Sequence, residues 1–109
     1  MSEIDRSSLI LYVTVPNDEV AEKLATTLVN ERLVACVQVL PGIKSYYRWE
    51  GKVHVDGEIL LLIKTRAEIF PVVEERIVEL HPYDVPQIVA APLTKVHEPY
   101  LTWLVENTS

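Results

Sequence analysis

The chain has 109 residues and a formal net charge of −6, with 49% apolar and 24% charged side chains. This length suits one domain with a modest core, and the acidic balance argues against nucleic-acid and anionic-membrane partners, which both select clustered Lys and Arg. No apolar run is long enough to span a bilayer, no apolar signal segment stands at the start, and the single Cys36 excludes an internal disulfide framework. These features predict a cytoplasmic protein.

The beginning of the chain predicts a tail, a strand and a helix. Residues 1–8 are polar and charged, which is typical of a flexible tail, and residues 9–109 are predicted to form a single domain. Residues 9–15 are apolar and rich in β-branched side chains, which indicates a buried strand. Asn17 is a favoured N-cap, and apolar residues at helical spacing predict an amphipathic helix over 18–31.

A long hairpin is predicted next. Residues 33–40 and 43–49 both have the composition of strands. Pro41 lies between them and lacks a backbone N–H for a strand ladder, so a bulge or bend is expected there. Glu50 and Gly51 form the predicted hairpin turn, because glycine readily takes a positive φ.

The returning arm of the hairpin is predicted in three pieces. Residues 52–55 pair back along the hairpin, and the sequence Asp-Gly at 56–57 predicts a second turn or bulge. Residues 58–64 are continuously apolar apart from their ends, which predicts a fully buried strand. Thr65 is then expected to cap a second helix.

The second helix is predicted from an apolar stripe at helical spacing, formed by Ile69, Val73, Ile77 and Leu80. It is expected to end at His81, because a residue that precedes a proline avoids the helical region. A short strand over 87–91 and a final helical segment over 99–106 complete the chain.

The predicted order is β-α-β-β-α-β followed by a C-terminal helix, an α+β arrangement. Its natural closure is the ferredoxin-like fold, a four-stranded antiparallel sheet with both helices on one face. Residues 33–37 and 59–63 do not alternate with polar residues, as strands with one solvated face should. The open face and the long hairpin therefore need a cover, and self-association is the simplest source of one.

Few residues suggest chemistry by themselves. The chain has no glycine-rich phosphate loop, nucleophile elbow or zinc spacing, so no enzyme is predicted. His81 is either a residue that compensates the helix dipole or a metal or ligand contact. Lys64 either forms an anion site or pairs with a carboxylate. Tyr46, Tyr47 and Trp49 on the hairpin fit a protein contact better than base stacking.

Seven short blocks occur in order along the chain: VPNDE (15–19), LVACV (33–37), LPG (40–42), YRWEGK (47–52), IKT (63–65), HPY (81–83) and YLTW (100–103). Together they resemble the CutA family of divalent-cation tolerance proteins over residues 9–105. The resemblance implies a cytoplasmic homotrimer of ferredoxin-like protomers, linked to tolerance of copper and other divalent cations and without enzymatic activity. It also implies an architecture similar to PII-type trimers. The alternative function is therefore a sensor or assembly module that binds a small anion or a protein partner without metal.

The resemblance further implies a ligand cleft between subunits, lined by Trp49, Lys64, His81, Tyr83, Tyr100 and Trp103. Where copper binding is proposed in the family, it uses a first-strand cysteine and two consecutive histidines. Val13 and Leu80 stand at two of those positions here, and Gln87 replaces the usual carboxylate nearby. The expected cofactor, Cu²⁺ or another divalent cation, is therefore left with His81, and trimer symmetry would have to bring further ligands to it. The loop at 96–99 also departs from the family pattern.

Overall fold

The structure is a computed structural model that describes residues 5–109. These residues form four strands, three α-helices and a 3₁₀ turn: β1 (Ser8–Val15), α1 (Asp18–Asn30), β2 (Cys36–Trp49), β3 (Lys52–Arg66), the 3₁₀ turn (Ala67–Ile69), α2 (Phe70–Leu80), β4 (Ile88–Pro92) and α3 (Glu98–Glu106). The strands make one antiparallel sheet in the order β2-β3-β1-β4. The α+β class and the predicted order of elements are confirmed. No helix within 5–109 has both the length and the apolar character needed to cross a membrane.

The core lies between one face of the sheet and helices α1 and α2. Alternate residues of the two central strands are buried on this face, because successive side chains of a strand point to opposite sides. They are Leu11, Val13 and Val15 of β1 and Ile59, Leu61 and Ile63 of β3. Leu24 and Leu28 of α1 and Val73 and Ile77 of α2 complete the same cluster. The predicted stripe of α2 is therefore the face that packs on the sheet.

Among residues 5–109, cover for the opposite face of the sheet is found at one end only. Helix α3 packs there, with Leu104 fully buried, and the Arg66 guanidinium donates to the side chain and the carbonyl oxygen of Thr108 at 2.9 and 3.1 Å. The β2–β3 hairpin extends away from this cover, and the molecule measures 54 × 25 × 22 Å. On this face of the hairpin Leu40 and Trp49 are 49% and 60% exposed, and on the other face Tyr46 and Val53 are 69% and 65% exposed. The prediction that one chain leaves apolar sheet surface uncovered is confirmed.

Three local predictions are confirmed by the backbone. The Asn17 side chain accepts from the N–H of Val20 at 2.9 Å and so caps α1. The β2–β3 register shifts between Leu40 and Ile43, which is the bulge expected at the proline. Gly51 in the hairpin turn has a φ of +77°, and the preceding residue is also left-handed, with a φ of +49°.

The predicted second turn at 56–57 is wrong. Ser45 pairs with Asp56 and Lys44 with Gly57, so β3 continues through this point without a break. The prediction that 58–64 is buried on both faces is also wrong, because fully buried residues of this segment alternate with half-buried ones. The half-buried residues inside this segment, Leu60 and Leu62, are apolar as well, which is why the sequence alone did not reveal the alternation.

Thr65 does not cap the second helix. It is the fully buried penultimate residue of β3, and its hydroxyl donates to the carbonyl oxygen of Leu33 at 2.7 Å. Strand β2 correspondingly begins at Cys36, three residues after the predicted start, and α2 begins at Phe70 after the 3₁₀ turn. Thr65 adopts the extended conformation and does not start a helix, because the pairing of β3 with β1 continues to Ser8.

The predicted tail falls partly outside the described residues, which begin at residue 5. Ser8 belongs to β1, where it pairs with Arg66 and is almost completely buried. Arg6 forms an ion pair with Glu98 at 2.6 Å and donates to the Thr102 hydroxyl at 3.1 Å. Strand β1 therefore begins one residue earlier than predicted.

Candidate functional site

An open groove of about 770 Å³ lies between the projecting β2–β3 hairpin and the segment that joins α2 to β4. Four aromatic side chains contribute to its walls, namely Tyr46, Tyr47, Trp49 and Tyr83. Three carboxylates also line it, those of Asp56, Glu58 and Asp84, and none of the described lining residues is basic. The groove therefore combines aromatic surface with negative charge.

Two tyrosine hydroxyls in the groove donate to carboxylates. Tyr47 donates to Asp56, and Tyr83 donates to Glu58 at 3.1 Å. Burial, followed by the hydrogen bond to Glu58, raises the pKa of Tyr83 from 10.0 to about 12. The hydrogen bond to Asp56 likewise raises the pKa of Tyr47. Both hydroxyls therefore stay protonated donors at neutral pH, and the charge of the groove is that of its carboxylates.

His81 lies beside the groove with both ring nitrogens in use. Its Nε2 is 2.8 Å from the carbonyl oxygen of Thr14, and its Nδ1 accepts from the backbone N–H of Tyr83 at 3.2 Å. A carbonyl only accepts and a backbone N–H only donates, so these partners assign the neutral tautomer with its proton on Nε2. The ring is 7% exposed and packs against the Tyr83 ring at 4.7 Å.

A metal centre at His81 does not fit the residues of one chain. A metal needs an imidazole lone pair, and the Nδ1 lone pair already accepts the Tyr83 N–H. Val13 is fully buried in the core and Leu80 packs against it, so neither position offers a ligand. Within residues 5–109, no group of three or more His, Cys, Asp and Glu side chains is placed to hold an ion.

Lys64 belongs to a second cluster, with two aromatic residues of α3. Its Nζ lies 5.7 Å from the centre of the Tyr100 ring and donates to Oε1 of Gln38 at 2.8 Å. The Tyr100 and Trp103 rings lie 5.4 Å apart. Lys64 thus contacts an amide and an aromatic ring, and the predicted pairing with a carboxylate is not found among the described residues.

The six predicted cleft residues therefore form two groups. Trp49 and Tyr83 line the groove with His81 behind them, whereas Lys64, Tyr100 and Trp103 lie together near the far end of β3. Glu58, which Tyr83 contacts, is six residues from Lys64 on the same strand, a separation of about 20 Å. One cleft that contains all six needs a second chain.

Sequence reasoning missed the acidic residues of the groove. The turn at 50–51 carries the signal that would have revealed one of them, because a two-residue turn fixes the hairpin register. That register places Tyr47 opposite His54, with Asp56 as its diagonal neighbour. Glu58 and Asp84 have no such local signal, because the fold alone brings 83–87 against β3.

Comparison with known proteins gives one consistent family. The model of the CutA1 divalent ion tolerance protein family matches residues 9–107. The divalent-cation tolerance protein CutA of Thermus thermophilus is 52% identical over 99 residues, 91% of this chain and 96% of the relative. The chloroplastic protein CutA of Arabidopsis thaliana is 48% identical over 101 residues, 93% of this chain and 56% of the longer relative.

Solved structures agree with the sequence relatives. The Thermus thermophilus Cut A1 protein superposes with a TM-score of 0.91 at 50% identity, covering 94% of this chain and 99% of that one. The periplasmic divalent cation tolerance protein CutA of Archaeoglobus fulgidus gives 0.89 at 36% identity, with 92% and 97% covered.

Proposed function

Because the chain belongs to the CutA1 family of divalent ion tolerance proteins, we propose that it acts as a homotrimer in the response to divalent metal cations, copper among them. In this proposal its ligand binds in grooves at the subunit boundaries, and the protein is cytoplasmic and not an enzyme. The observation that carries the proposal is the projecting hairpin, whose apolar side chains no described part of the chain covers.

Two features of the fold support the assembly. The sheet order β2-β3-β1-β4, with α1 and α2 against one face, fits a ferredoxin-like protomer with α3 added. Strand β2 has a neighbour on one side only, so its outer edge and the exposed Val39, Leu40 and Tyr46 are available to a second copy. Assembly of three copies would bury the apolar surface that a single chain exposes to water.

Sedimentation velocity at micromolar concentration tests the assembly. We expect a particle of three times the 12.4 kDa chain mass. Val53→Lys on the hairpin should dissociate it, because a buried unpaired charge is costly. Val78→Lys on α2, where the side chain is also about half exposed, is the matched control and should leave the mass unchanged. A monomeric wild type contradicts the proposed trimer.

The copper part of the proposal is tested by calorimetric titration with Cu(II) and Zn(II). His81 is the ligand that the resemblance implies, but both its ring nitrogens are already hydrogen-bonded. We therefore expect His81→Ala to leave cation binding unchanged per folded chain. Loss of binding in a folded His81→Ala variant assigns the ligand role to His81, and absence of cation binding to the wild type removes direct metal binding from the proposal.

Location is a separate part of the proposal. The Arabidopsis relative is named chloroplastic and the Archaeoglobus relative periplasmic, so members of the family occupy different compartments. Fractionation of the native cells is the test, and recovery of the protein outside the cytoplasm contradicts this part.

The second candidate function is a PII-like sensor that binds a small anion without metal. The observation that favours it is the ammonium of Lys64 beside the Tyr100 ring, which in turn packs against the Trp103 ring. Titration with inorganic phosphate in the presence of EDTA distinguishes the two functions. Binding that Lys64→Gln abolishes favours the sensor, and no binding leaves the first proposal in place.

A further inference from the structure

The groove between the hairpin and the segment that joins α2 to β4 has aromatic walls and carries one sign of charge. It holds three of the five tyrosines and one of the two tryptophans of the chain. Its three carboxylates face no basic side chain among the described lining residues. A ligand that complements both properties must be positively charged and must offer surface to aromatic rings.

A divalent metal ion meets the first requirement but not the second. Such ions are tightly hydrated and exchange water only for several oxygen or nitrogen ligands in one shell. Asp56 and Glu58 each have only one oxygen that does not accept a tyrosine hydroxyl, and within residues 5–109 no group of three or more His, Cys, Asp and Glu side chains is placed to hold an ion. The groove chemistry therefore selects against a bare metal ion.

Guanidinium groups meet both requirements. They are weakly hydrated, they stack on aromatic faces, and their planar N–H donors match carboxylates. The tyrosine hydroxyls contact Oδ2 of Asp56 and Oε2 of Glu58, and the second oxygen of each carboxylate has no hydrogen-bond partner within 5–109. These two oxygens are the acceptors that a cationic N–H donor needs.

We propose that this groove binds a small organic cation of the alkylguanidinium class. The N–H donors meet the second oxygens of Asp56 and Glu58, and the flat face of the cation lies against the aromatic walls that include Tyr47 and Trp49. The inference deepens the proposed function, since it names the ligand class of one groove, and it requires neither a bound metal nor His81 as a ligand.

Butylguanidinium and butylurea are the matched probes, because they share size and planar shape, whereas the urea is neutral and has a carbonyl oxygen in place of one N–H₂ donor. Calorimetry should show saturable binding of butylguanidinium that is about tenfold or more tighter than that of butylurea, the factor expected when charge-assisted hydrogen bonds are lost. In a ¹H–¹⁵N spectrum the indole signal of Trp49 should move on titration, and that of Trp103 on α3 should not. Trp49→Phe assigns the two signals.

Glu58→Gln and Asp56→Asn should each weaken butylguanidinium binding about tenfold and leave butylurea binding unchanged. Glu74→Gln, the same change on an exposed position of α2, is the control and should bind as the wild type does. Equal affinity for the two probes, no binding of butylguanidinium, or wild-type affinity in both groove variants overturns the inference. No binding together with altered sedimentation of Glu58→Gln means that a cation of a second copy fills the groove, which also overturns it.

Sedimentation of the same samples separates this inference from the proposed function. If the protein is a monomer and binds butylguanidinium, the proposed trimer is contradicted and the proposed ligand class is supported. If it is a trimer that binds divalent cations but not butylguanidinium, only the proposed ligand class is contradicted.

Discussion

The Nε2–H of His81 donates to the carbonyl oxygen of Thr14, 2.8 Å away and 67 positions earlier in the chain. This bond links the C-terminal end of α2 to the penultimate residue of β1. The same imidazole receives the N–H of Tyr83, so the first residues after α2 are fixed as well. One wall of the groove therefore depends on a histidine that does not itself line it.

Replacement of His81 by alanine should lower the free energy of unfolding by about 1–3 kcal/mol, because it leaves the Thr14 carbonyl and the Tyr83 N–H without partners. Urea unfolding followed by circular dichroism measures the change. His97→Ala is the control, since His97 is exposed and makes no capping bond to α3, and its effect should stay within about 0.5 kcal/mol. Equal effects of the two variants contradict the structural role of His81.

Tyr83 predicts a change of stability at alkaline pH. Its folded pKa of about 12 lies above the ordinary value of 10.0. Its contribution to stability is therefore fully present below pH 10 and is lost as the pH rises toward 12. Tyr83→Phe should cost about 0.5 kcal/mol at pH 7, the lower end for a hydrogen bond because the residue is partly exposed.

Urea unfolding of the wild type and Tyr83→Phe at a series of pH values checks this prediction. The difference between the two proteins isolates Tyr83 from the other tyrosines. It should be constant up to pH 10 and disappear between pH 10 and 12. A difference that stays constant up to pH 12 contradicts the raised pKa.

Features that depend on neighbours in sequence were predictable. Asn17 caps α1 through a side chain that reaches three residues ahead, and the turn at Glu50 and Gly51 needs only two left-handed residues. The bulge after Leu40 follows from the missing N–H of the next residue. In each case the physical cause lies within a few residues of its effect.

Features that depend on the assembled sheet were not predictable from one sequence. Thr65 has the composition of a helix cap, but its hydroxyl finds the Leu33 carbonyl 32 positions away and the residue stays in β3. Residues 59–63 are all apolar, so the sequence does not show that only alternate ones are fully buried against the helices on one face of the sheet. Glu58 lines the groove because the segment after α2 folds back and brings the Tyr83 hydroxyl within hydrogen-bonding distance of its carboxylate.

The ion pair of Arg76 with Glu31 joins the middle of α2 to the C-cap of α1 and predicts a stability change at acidic pH. Arg76 Nε and Nη2 each lie 2.9 Å from a different oxygen of Glu31, a bidentate contact. The hydrogen bond from Arg76 lowers the pKa of Glu31 below 4.5. The stabilising effect is therefore present above pH 4.5 and is lost as the pH falls through the lowered pKa.

Glu31→Gln should accordingly reduce the urea midpoint slightly at pH 7 and have no effect at about pH 2 to 3. Glu74→Gln removes the same charge from α2 outside any ion pair of the described chain and is the matched control. A Glu31→Gln effect of the same size at both pH values would indicate that the pair contributes through packing and not through charge.

Two glycines of the β2–β3 hairpin, one in the turn and one within β3, can be compared directly. Gly51 has a φ of +77°, which disfavours any residue with a Cβ, whereas Gly57 lies in the regular part of β3 and a Cβ there would meet no atom within 4 Å. Gly51→Ala should lower the free energy of unfolding by about 1 kcal/mol, and Gly57→Ala should change it by less or increase it, because alanine restricts the unfolded chain. Urea unfolding of both variants is the measurement. Because the turn positions Tyr47 and Trp49 relative to the groove, Gly51→Ala should also weaken butylguanidinium binding, while Gly57→Ala should not. If Gly57→Ala destabilises the protein more than Gly51→Ala does, the conformation of the turn does not stabilise the hairpin.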